Sequence, residues 1–326
     1  MIGDPSAHVN DTSAGRRLRE GARLAVLVNP AARAAGDRVS VEGSVRRLAS
    51  RYHVDVVVPR APADLSDAAR TAGATHDAII VAGGDGTLHY VVNALSGRDV
   101  PIGMLPLGTG NDFTRSLGMS NASDGPVRAV LDGHVRAVDL VEVNGRVFCT
   151  VGVLGLAAEA TMAYNRLLEP RSWARPVLKR TGGFAYRLAG LLAVIRAGAT
   201  AGHAAVTVDD RPAPGPLARV QALFVTNGTM LGGGMTLPVE SRIDDGLLEV
   251  VSVTALSRPR LFWAFACLAN GWRIPDGAIA VVRGAHAVIA MGLASTFAAD
   301  GEVMEVGTRF DVRVKPGALQ VIAPPA

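Results

Sequence analysis

The first third of the chain alternates short apolar runs with amphipathic stretches. The runs 24–28, 54–58, 78–82 and 101–106 have the length and composition of strands that are buried on both faces. Between them apolar residues recur at helical spacing, as they do across residues 41–51. This alternation predicts a mostly parallel sheet with helices on both sides.

The pattern changes at about residue 138, where short β-type runs begin to follow one another directly. They include the runs 147–151, 310–314 and 319–322, each of which predicts one strand. Turn signals such as Asn144-Gly145 and Asp209-Asp210 separate runs of this kind. We therefore expect a mainly antiparallel β-sandwich, interrupted by helical insertions at about 159–197 and 259–271.

These two patterns predict the domain organisation. We expect a disordered tail at 1–21, an α/β domain at 22–138 and the β-sandwich domain at 139–326.

The composition favours an ordinary globular protein of the cytoplasm. Hydrophobic residues make up 49% of the 326 positions and charged residues 19%, which is enough for well-formed cores. The net charge of +4 is too small to indicate a nucleic-acid partner. Cys149 and Cys267 lie in apolar contexts and are expected to be buried free thiols. The sequence shows no signal peptide and no apolar run of membrane-spanning length, so we expect a soluble or peripheral protein.

Candidate chemistry begins where the apolar run 78–82 ends in Gly83-Gly84-Asp85-Gly86-Thr87 and a helical pattern follows. A strand, a glycine turn and a helix N-terminus together present backbone N–H groups to a phosphate. Asp85 would then face a phosphate-bound metal ion or a reacting hydroxyl, and Thr87 would contact the phosphate or cap the helix. The alternative is a tight turn in which Asp85 is only the N-cap.

A second glycine-rich loop, residues 106–113, follows the next predicted strand and reads Pro-Leu-Gly-Thr-Gly-Asn-Asp-Phe. Two such loops could hold a triphosphate from both sides. Asn29, Asp85 and this loop all follow predicted strands, so they should converge on one crevice. Asp112 and Asp139 add carboxylates that could hold Mg²⁺ through water.

Near the C-terminus, Asp300-Gly301-Glu302 places two carboxylates on a turn between β runs. Such a carboxylate could accept a hydroxyl proton during phosphoryl transfer. The alternative is an ordinary hairpin turn.

Taken in order, these motifs resemble those of the diacylglycerol kinase catalytic family, which includes bacterial soluble diacylglycerol kinases and sphingosine kinases. Gly232-Gly233-Gly234 and Asp244-Asp245-Gly246 extend the resemblance, which covers residues 22–326. It implies an α/β nucleotide-binding domain like that of phosphofructokinases and NAD kinases, followed by a β-sandwich, with the active site between them.

The resemblance also implies roles for individual residues. The implied ATP-binding residues are Asn29, Gly83, Gly84, Gly86, Thr87, Gly108, Thr109 and Asn111. The implied magnesium–water network involves Asp85, Asp112 and Asp139. Asp245 matches a structural divalent-ion site that includes backbone carbonyls near Arg242 and Leu247. The general base is Glu302 or Asp85.

Three features depart from the family pattern. Many members have Glu at the position of Tyr90 and Asn at the position of Thr150, and the loop 31–36 lacks a compact Ser-Gly pair. These departures leave the phosphate-binding motifs intact and the identity of the acceptor open.

A basic stretch lies within the first helical insertion, between Arg166 and Arg187, and contains Trp173 and Phe184. Its basic residues are Arg166, Arg171, Arg175, Lys179, Arg180 and Arg187. This stretch suits docking to an anionic bilayer, or it is simply a solvated helical face.

The sequence therefore predicts an ATP- and Mg²⁺-dependent kinase that phosphorylates the hydroxyl of diacylglycerol or a related lipid, giving phosphatidic acid or an analogue. The expected partner is a lipid met at a membrane surface by a cytoplasmic, peripheral protein, with no nucleic acid involved and homodimerisation left open. The alternatives are an NAD kinase-like small-molecule kinase and a nucleotide-binding lipid sensor with little turnover.

Overall fold

The computed structural model describes most of the chain apart from its first residues and several internal segments. The described residues are 16–29, 38–108, 110–119, 124–168, 187, 190–191, 202–213, 219–254, 256–274 and 277–325.

Four parallel strands form the first part of the sheet, with helices packed on both of its faces. The strands are β1 (Arg23–Val28), β2 (His53–Val57), β3 (Ala78–Gly83) and β4 (Ile102–Pro106). The helices are α1 (Arg38–Leu48), α2 (Leu65–Thr75), α3 (Asp85–Leu95), α4 (Asp112–Ser116) and α5 (Gly125–Asp132). The strands pair in the order β2-β1-β3-β4, as predicted for an α/β domain.

Strand β3 lies at the centre of this part and explains the continuous apolar runs of the sequence. Its side chains alternate between two cores: Ile79 and Val81 pack with α2 and α3, whereas Ile80 and Ala82 pack with α1 and α5. Both faces of the sheet exclude water, so neither face selects polar residues.

The second part is mainly antiparallel. Its strands are β5 (Val135–Val143), β6 (Arg146–Phe148), β7 (Val151–Gly155), β8 (Ala204–Val208), β9 (Arg211–Pro212), β10 (Val220–Thr226), β11 (Met230–Leu231), β12 (Met235–Thr236), β13 (Leu248–Thr254), β14 (Ile279–Gly284), β15 (His286–Ala299) and β16 (Glu302–Ile322). Helix α6 (Leu156–Leu168) follows β7, and α7 (Arg258–Asn270) precedes β14. The central order is β14-β13-β10-β7-β15-β16, which agrees with the predicted β-sandwich.

Strand β16 joins the two parts. It pairs antiparallel with β15 and β5, and near its end Val321 pairs parallel with Ile102 of β4. Leu319 and Ala323 accordingly lie in the core beneath α2 and α3. The domain division at 138/139 stays a prediction, and the structure adds that this position lies inside β5.

Local expectations differ from the structure at two places. The runs 310–314 and 319–322 belong to one strand, because β16 passes Pro316-Gly317 as a bulge, with Gly317 at a φ of 59°. The run 147–151 is instead divided between β6 and β7 by a bend at Cys149 and Thr150.

The predicted disordered tail and insertions are described only in part. Disorder does not hold for residues 16–21, since Arg17 bridges to His134 and Leu18 is buried. The second insertion is α7, as expected, and the first begins as α6. Both cysteines are buried free thiols, as predicted. Within the described residues, no helix is long and apolar enough to cross a membrane.

Candidate active site

A single crevice brings together four motifs that are far apart in the sequence. The residues from these motifs that line it are Gly84, Asp85, Gly86, Gly108, Gly110, Asp112, Gly232, Asp300 and Gly301. The convergence follows from topology, because β3 and β4 are adjacent parallel strands whose carboxyl ends carry the two glycine loops. The β15–β16 turn faces these loops from the second part of the chain.

The two glycine loops touch through their backbones. A Cβ atom at Gly84 would lie 2.9 Å from the Cα of Gly108, and a Cβ at Gly108 would lie 2.5 Å from the Cα of Gly84. Carbon atoms normally approach only to about 3.5–4.0 Å, so neither position has space for a side chain. The glycines therefore allow the loops to form one continuous surface of backbone groups.

Asp85 connects the two loops through hydrogen bonds. It is the first residue of α3, whose N-cap is Gly84, so the alternative prediction that Asp85 is the N-cap is wrong. Its carboxylate instead accepts the backbone N–H groups of Asp112, at 3.1 Å, and Phe113, at 3.2 Å. Burial raises the pKa of Asp85, an effect that these hydrogen bonds oppose and the nearby Asp300 carboxylate adds to.

Asp112 lies beside Asp85 and forms an acidic pair with it. A Cβ at Gly110 would lie 3.0 Å from Asp112 Oδ2 and 3.2 Å from Asp85 Oδ2, so both oxygens face the same side of this glycine. Burial and the Asp85 charge raise the pKa of Asp112 to about 7, and Arg115 lowers it in part. Its buried Oδ1 makes no hydrogen bond within the described residues. Two crowded carboxylates with an unsatisfied oxygen fit a divalent cation held at this point.

The carboxylate of Asp300 is turned inward and holds the bend between β6 and β7. It accepts the N–H groups of Cys149 and Thr150, both at 2.9 Å, and the Thr150 hydroxyl at 2.7 Å. His89 Nδ1 of α3 lies 3.4 Å away. Burial alone would raise the pKa of Asp300, but His89, Thr150 and Cys149 outweigh it and the pKa is lowered. Asp300 is thus an ionised anchor that joins α3 to the second part of the chain.

Glu302 follows this turn and lies against the N-terminus of α3. A Cβ at Gly86 would lie 3.0 Å from Glu302 Oε1, and the hydroxyl of Tyr90 donates to Oε2 at 3.2 Å. Burial raises the pKa of Glu302, while Tyr90, His89 and Arg146 lower it in part. A raised pKa makes the ionised carboxylate a better proton acceptor, as a general base requires.

Replacing Tyr90 with phenylalanine should shift the pH dependence of turnover. The ionised form of Glu302 loses a hydrogen-bond donor, so its pKa should rise further. The base acts when ionised, so the acidic limb of the kcat profile should move to higher pH while the plateau stays within a few-fold of the parent. The measurement is kcat against pH.

A matched control is Tyr52→Phe, which removes a hydroxyl that donates to the carbonyl of Val130 at 3.0 Å, away from the crevice. If the acidic limb moves equally in both variants, or in neither, then the hydrogen bond from Tyr90 does not set the pKa of the group that controls turnover.

The remaining predicted nucleotide-binding residues shape the loops. Asn29 Nδ2 donates to Thr87 Oγ1 at 2.7 Å, which fixes the start of α3 against the end of β1. Asn111, at a φ of 51°, closes its loop with two hydrogen bonds to the backbone of Gly108. Gly83 is the last residue of β3, packed against Thr87. Thr109 lies outside the described residues, as do loop 31–36 and most of the basic insertion.

Asp139, predicted to join the magnesium–water network, is occupied by backbone groups. Its carboxylate accepts the N–H groups of Gly246 and Gly317, both at 2.7 Å. The buried side chain therefore ties two turns to β5 and is absent from the lining of the crevice. Asp139 thus lies apart from the acidic pair, and its part in the magnesium–water network stays a prediction.

Asp245, predicted to bind a structural divalent ion, is paired with a guanidinium group. Its Oδ1 accepts the N–H of Leu247 at 3.0 Å, and its Oδ2 contacts Arg283 Nη2. Arg283 Nε also lies 3.0 Å from the carboxylate of Glu249, which is buried. One arginine thus offsets the charge of both carboxylates, although neither buried oxygen of Glu249 has a hydrogen-bond partner among the described residues. The divalent-ion site at Asp245 stays a prediction, and the two ion pairs favour a nucleotide-free protein that does not need the ion.

Chelation of divalent ions should therefore leave the free energy of unfolding of the parent unchanged in nucleotide-free buffer. Arg283→Met should instead lower it by about 1–3 kcal/mol, because the buried Glu249 carboxylate loses its partner. Both are measured by denaturant unfolding.

Arg313→Met is the control, since Arg313 pairs with Asp311 at 2.8 Å on the surface, where about 0–1 kcal/mol is expected. If a chelator destabilises the parent, then Asp245 does contribute to a divalent-ion site.

Sequence reasoning missed two elements of this region. Arg283 acts through contacts with residues distant in the chain, and no local pattern marks it. The second is an apolar cavity beside the crevice, lined by β7, β10, α6 and α7. The apolar spacing of the two helices was a signal of burial, although it did not indicate a cavity.

Comparison with known proteins identifies the family to which the chain belongs. Residues 23–143 match the model of the diacylglycerol kinase catalytic domain. Residues 172–323 match the model of the YegS C-terminal NAD kinase beta sandwich-like domain. The two matches coincide with the α/β part and most of the antiparallel part.

Curated relatives and solved structures agree with these models. A "Probable lipid kinase YegS-like" of Pseudomonas aeruginosa PAO1 is 32% identical over 249 residues, 76% of each chain. One of the same name from Cronobacter sakazakii is 28% identical over 305 residues, covering 89% of this chain and 93% of the relative. A crystal structure of a "putative diacylglycerol kinase" from Bacillus anthracis str. Sterne shares the fold, with a TM-score of 0.76, 21% identity and coverage of 97% and 99%. The chain therefore belongs to the diacylglycerol kinase catalytic domain family and is a kinase of the YegS-like group.

Proposed function

We propose that this kinase transfers the γ-phosphoryl group of ATP to the hydroxyl of diacylglycerol or a related lipid, in the presence of Mg²⁺. The product is phosphatidic acid or an analogue. The protein meets its lipid as a peripheral protein at a membrane surface.

The observation that carries this proposal is the apolar cavity beside the phosphate crevice. The cavity measures about 110 Å³, and its walls are almost entirely aliphatic and aromatic. Val153 of β7 lines both the cavity and the crevice. A molecule with its hydroxyl in the crevice could therefore place an acyl chain in the cavity, where burial contributes about 0.8 kcal/mol per CH₂ group.

The crevice suits the donor. Its glycine loops and the N-terminus of α3 offer backbone N–H groups to the phosphates. Asp85 and Asp112 are the residues that would hold Mg²⁺. When bound, the ion would neutralise phosphate charge.

The acceptor reaction requires a base and an in-line approach. Glu302 would accept the proton as the O–H bond of the lipid breaks and its oxygen bonds to the γ-phosphorus. The bond from this phosphorus to the bridging oxygen breaks at the same time, and ADP leaves. Tyr90 positions Glu302, while Asp300 and His89 hold the β15–β16 turn against α3.

The two alternatives are less well supported by the geometry. A sensor without turnover was suggested by Tyr90 and Thr150, but both hydroxyls donate to carboxylates of the site. An NAD kinase acts on a polar dinucleotide, and the apolar cavity beside the crevice offers such a molecule few polar partners.

The test is incubation with labelled ATP, Mg²⁺ and a panel of lipids in mixed micelles, with NAD as a control. The panel contains diacylglycerol, monoacylglycerol, a sphingoid base and ceramide. We expect label in the lipid fraction, with diacylglycerol among the acceptors. Labelling of NAD, or of no acceptor by protein that binds ATP, would overturn the proposal.

A further inference from the structure

Helix α7 is apolar on two sides, and among the described residues only one of these sides is covered. Leu261, Phe265 and Leu268 face inward and line the apolar cavity. On the opposite side Phe262 and Trp263 are 48% and 52% exposed. A helix that packs only against the protein interior would carry polar residues on its outer side.

The exposed aromatic residues form a continuous patch. Trp272 follows the end of the helix, is 54% exposed, and its ring centroid lies 6.0 Å from that of Trp263. Phe262 directly precedes Trp263 in the helix, so three large aromatic side chains are exposed to water in this region of the surface. Patches of this kind usually mark an interaction site. Tryptophan is the residue most characteristic of the membrane–water interface.

The charges around the patch identify its partner. Arg258 and Arg260 lie exposed in the first turn of α7. No acidic residue occurs anywhere from Arg258 to Arg273. Positive charges at a helix N-terminus oppose the helix dipole, so helix stability does not account for the two arginines. Within the described part of the chain, neither of them forms an ion pair. Aromatic rings flanked by positive charge complement an anionic lipid surface.

We propose that α7 and Trp272 form a docking face for an anionic phospholipid bilayer. The aromatic rings would enter the headgroup region while the arginines contact lipid phosphates. The inner side of the same helix walls the cavity, so docking places that cavity next to the bilayer. This last step rests on the proposed lipid acceptor, whereas the docking itself does not.

Vesicle binding tests the proposal directly. The parent should bind vesicles of phosphatidylcholine and phosphatidylglycerol more tightly than vesicles of phosphatidylcholine alone. Phe262→Ser/Trp263→Ser/Trp272→Ser should weaken binding to the anionic vesicles at least about tenfold. Arg258→Gln/Arg260→Gln should weaken it roughly 25-fold at low salt, about fivefold for each charge. The second loss should shrink at high salt.

Two control variants make the same kinds of substitution at surface positions outside the proposed docking face. Leu293→Ser removes an apolar side chain that is 80% exposed on β15. Arg60→Gln/Arg98→Gln removes two exposed charges from the α/β part. Both controls should bind as the parent does.

Measurements of kinase activity distinguish the docking proposal from the proposed lipid kinase function. None of the substituted aromatic residues lines the cavity or the crevice, so the triple variant should phosphorylate a short-chain, water-soluble diacylglycerol as the parent does. A parent that binds vesicles but phosphorylates no lipid would overturn the function and leave docking intact. Equal vesicle binding by parent and variants would overturn docking. A parent dimer in sedimentation analysis that the aromatic substitutions dissociate would reassign the face to a second copy of the chain.

Discussion

Glu302→Gln should bind Mg·ATP almost normally and lose at least about 10²-fold in kcat, which is the lower range for removing a general base. Glutamine keeps the size of the side chain and can still accept the hydrogen bond from Tyr90, but it cannot take a proton. The nucleotide loops should be undisturbed, because Glu302 comes from β16 and only its carboxylate reaches Gly86 at the start of α3.

The structure also explains why Asp85 is the weaker candidate for the base. Its carboxylate already accepts two backbone N–H groups from α4, and it shares the acidic pair with Asp112. Replacing Asp85 would therefore disturb the second loop and the cation position together. We expect its loss to reduce both ATP affinity and turnover, in contrast to the selective effect at Glu302.

The measurement is Mg·ATP affinity and single-turnover transfer on the same preparation of Glu302→Gln. Glu305→Gln is a matched control on the same strand, where the carboxylate accepts a hydrogen bond from Asn144 at 2.6 Å. The control should transfer phosphate at the parental rate. If Glu302→Gln binds ATP poorly, or transfers phosphate within a few-fold of the parent, then Glu302 is structural and Asp85 is the base.

The parts of the site that the sequence predicted are the local ones. The run 78–82, the glycines after it and the helical pattern that follows are contiguous, and their order determines strand, turn and helix. The convergence of the two glycine loops follows as well, because parallel strands bring their carboxyl ends to one edge.

The parts that could not be predicted depend on contacts between distant residues. Asp300 occupies an ordinary hairpin turn, as one interpretation expected, yet its carboxylate holds the bend at Cys149 and Thr150. Motif resemblance likewise does not reveal the partners of a carboxylate, and Asp139 accepts the backbone N–H groups of two turns that are distant in the sequence. The same limit applies to Asp245, whose partner Arg283 lies 38 positions away.

Gly84→Ala should reduce kcat/KM by at least about 10²-fold, because its Cβ would lie 2.9 Å from the Cα of Gly108. The contact joins two backbones, so no side chain can rotate to relieve it. The loops would have to separate by roughly 1 Å to reach normal carbon–carbon contact. A displacement of that size at a site that positions reacting groups costs about 10²-fold.

The same contact predicts the behaviour of a second variant and of a control. Gly108→Ala should reduce kcat/KM by a similar factor, because its Cβ would meet the other loop. In the double variant the loss in kcat/KM should be smaller than the product of the two single losses, since each of the three variants disrupts the same contact. Gly43→Ala makes the same change on α1, where a Cβ would meet nothing within 4 Å. It should keep full activity and gain up to about 1 kcal/mol of stability from the higher helix propensity of alanine.

The decisive comparison is ATP affinity and kcat/KM for Gly84→Ala and Gly43→Ala, with denaturant unfolding to show that each protein is folded. We expect the loss at Gly84 to include weaker ATP binding, because in the proposed site both loops would contribute backbone groups to the same phosphates. A folded Gly84→Ala protein with near-parental ATP affinity and turnover would mean that the loops can separate without consequence. In that case their contact would not build the phosphate site, and the assignment of the crevice would fail.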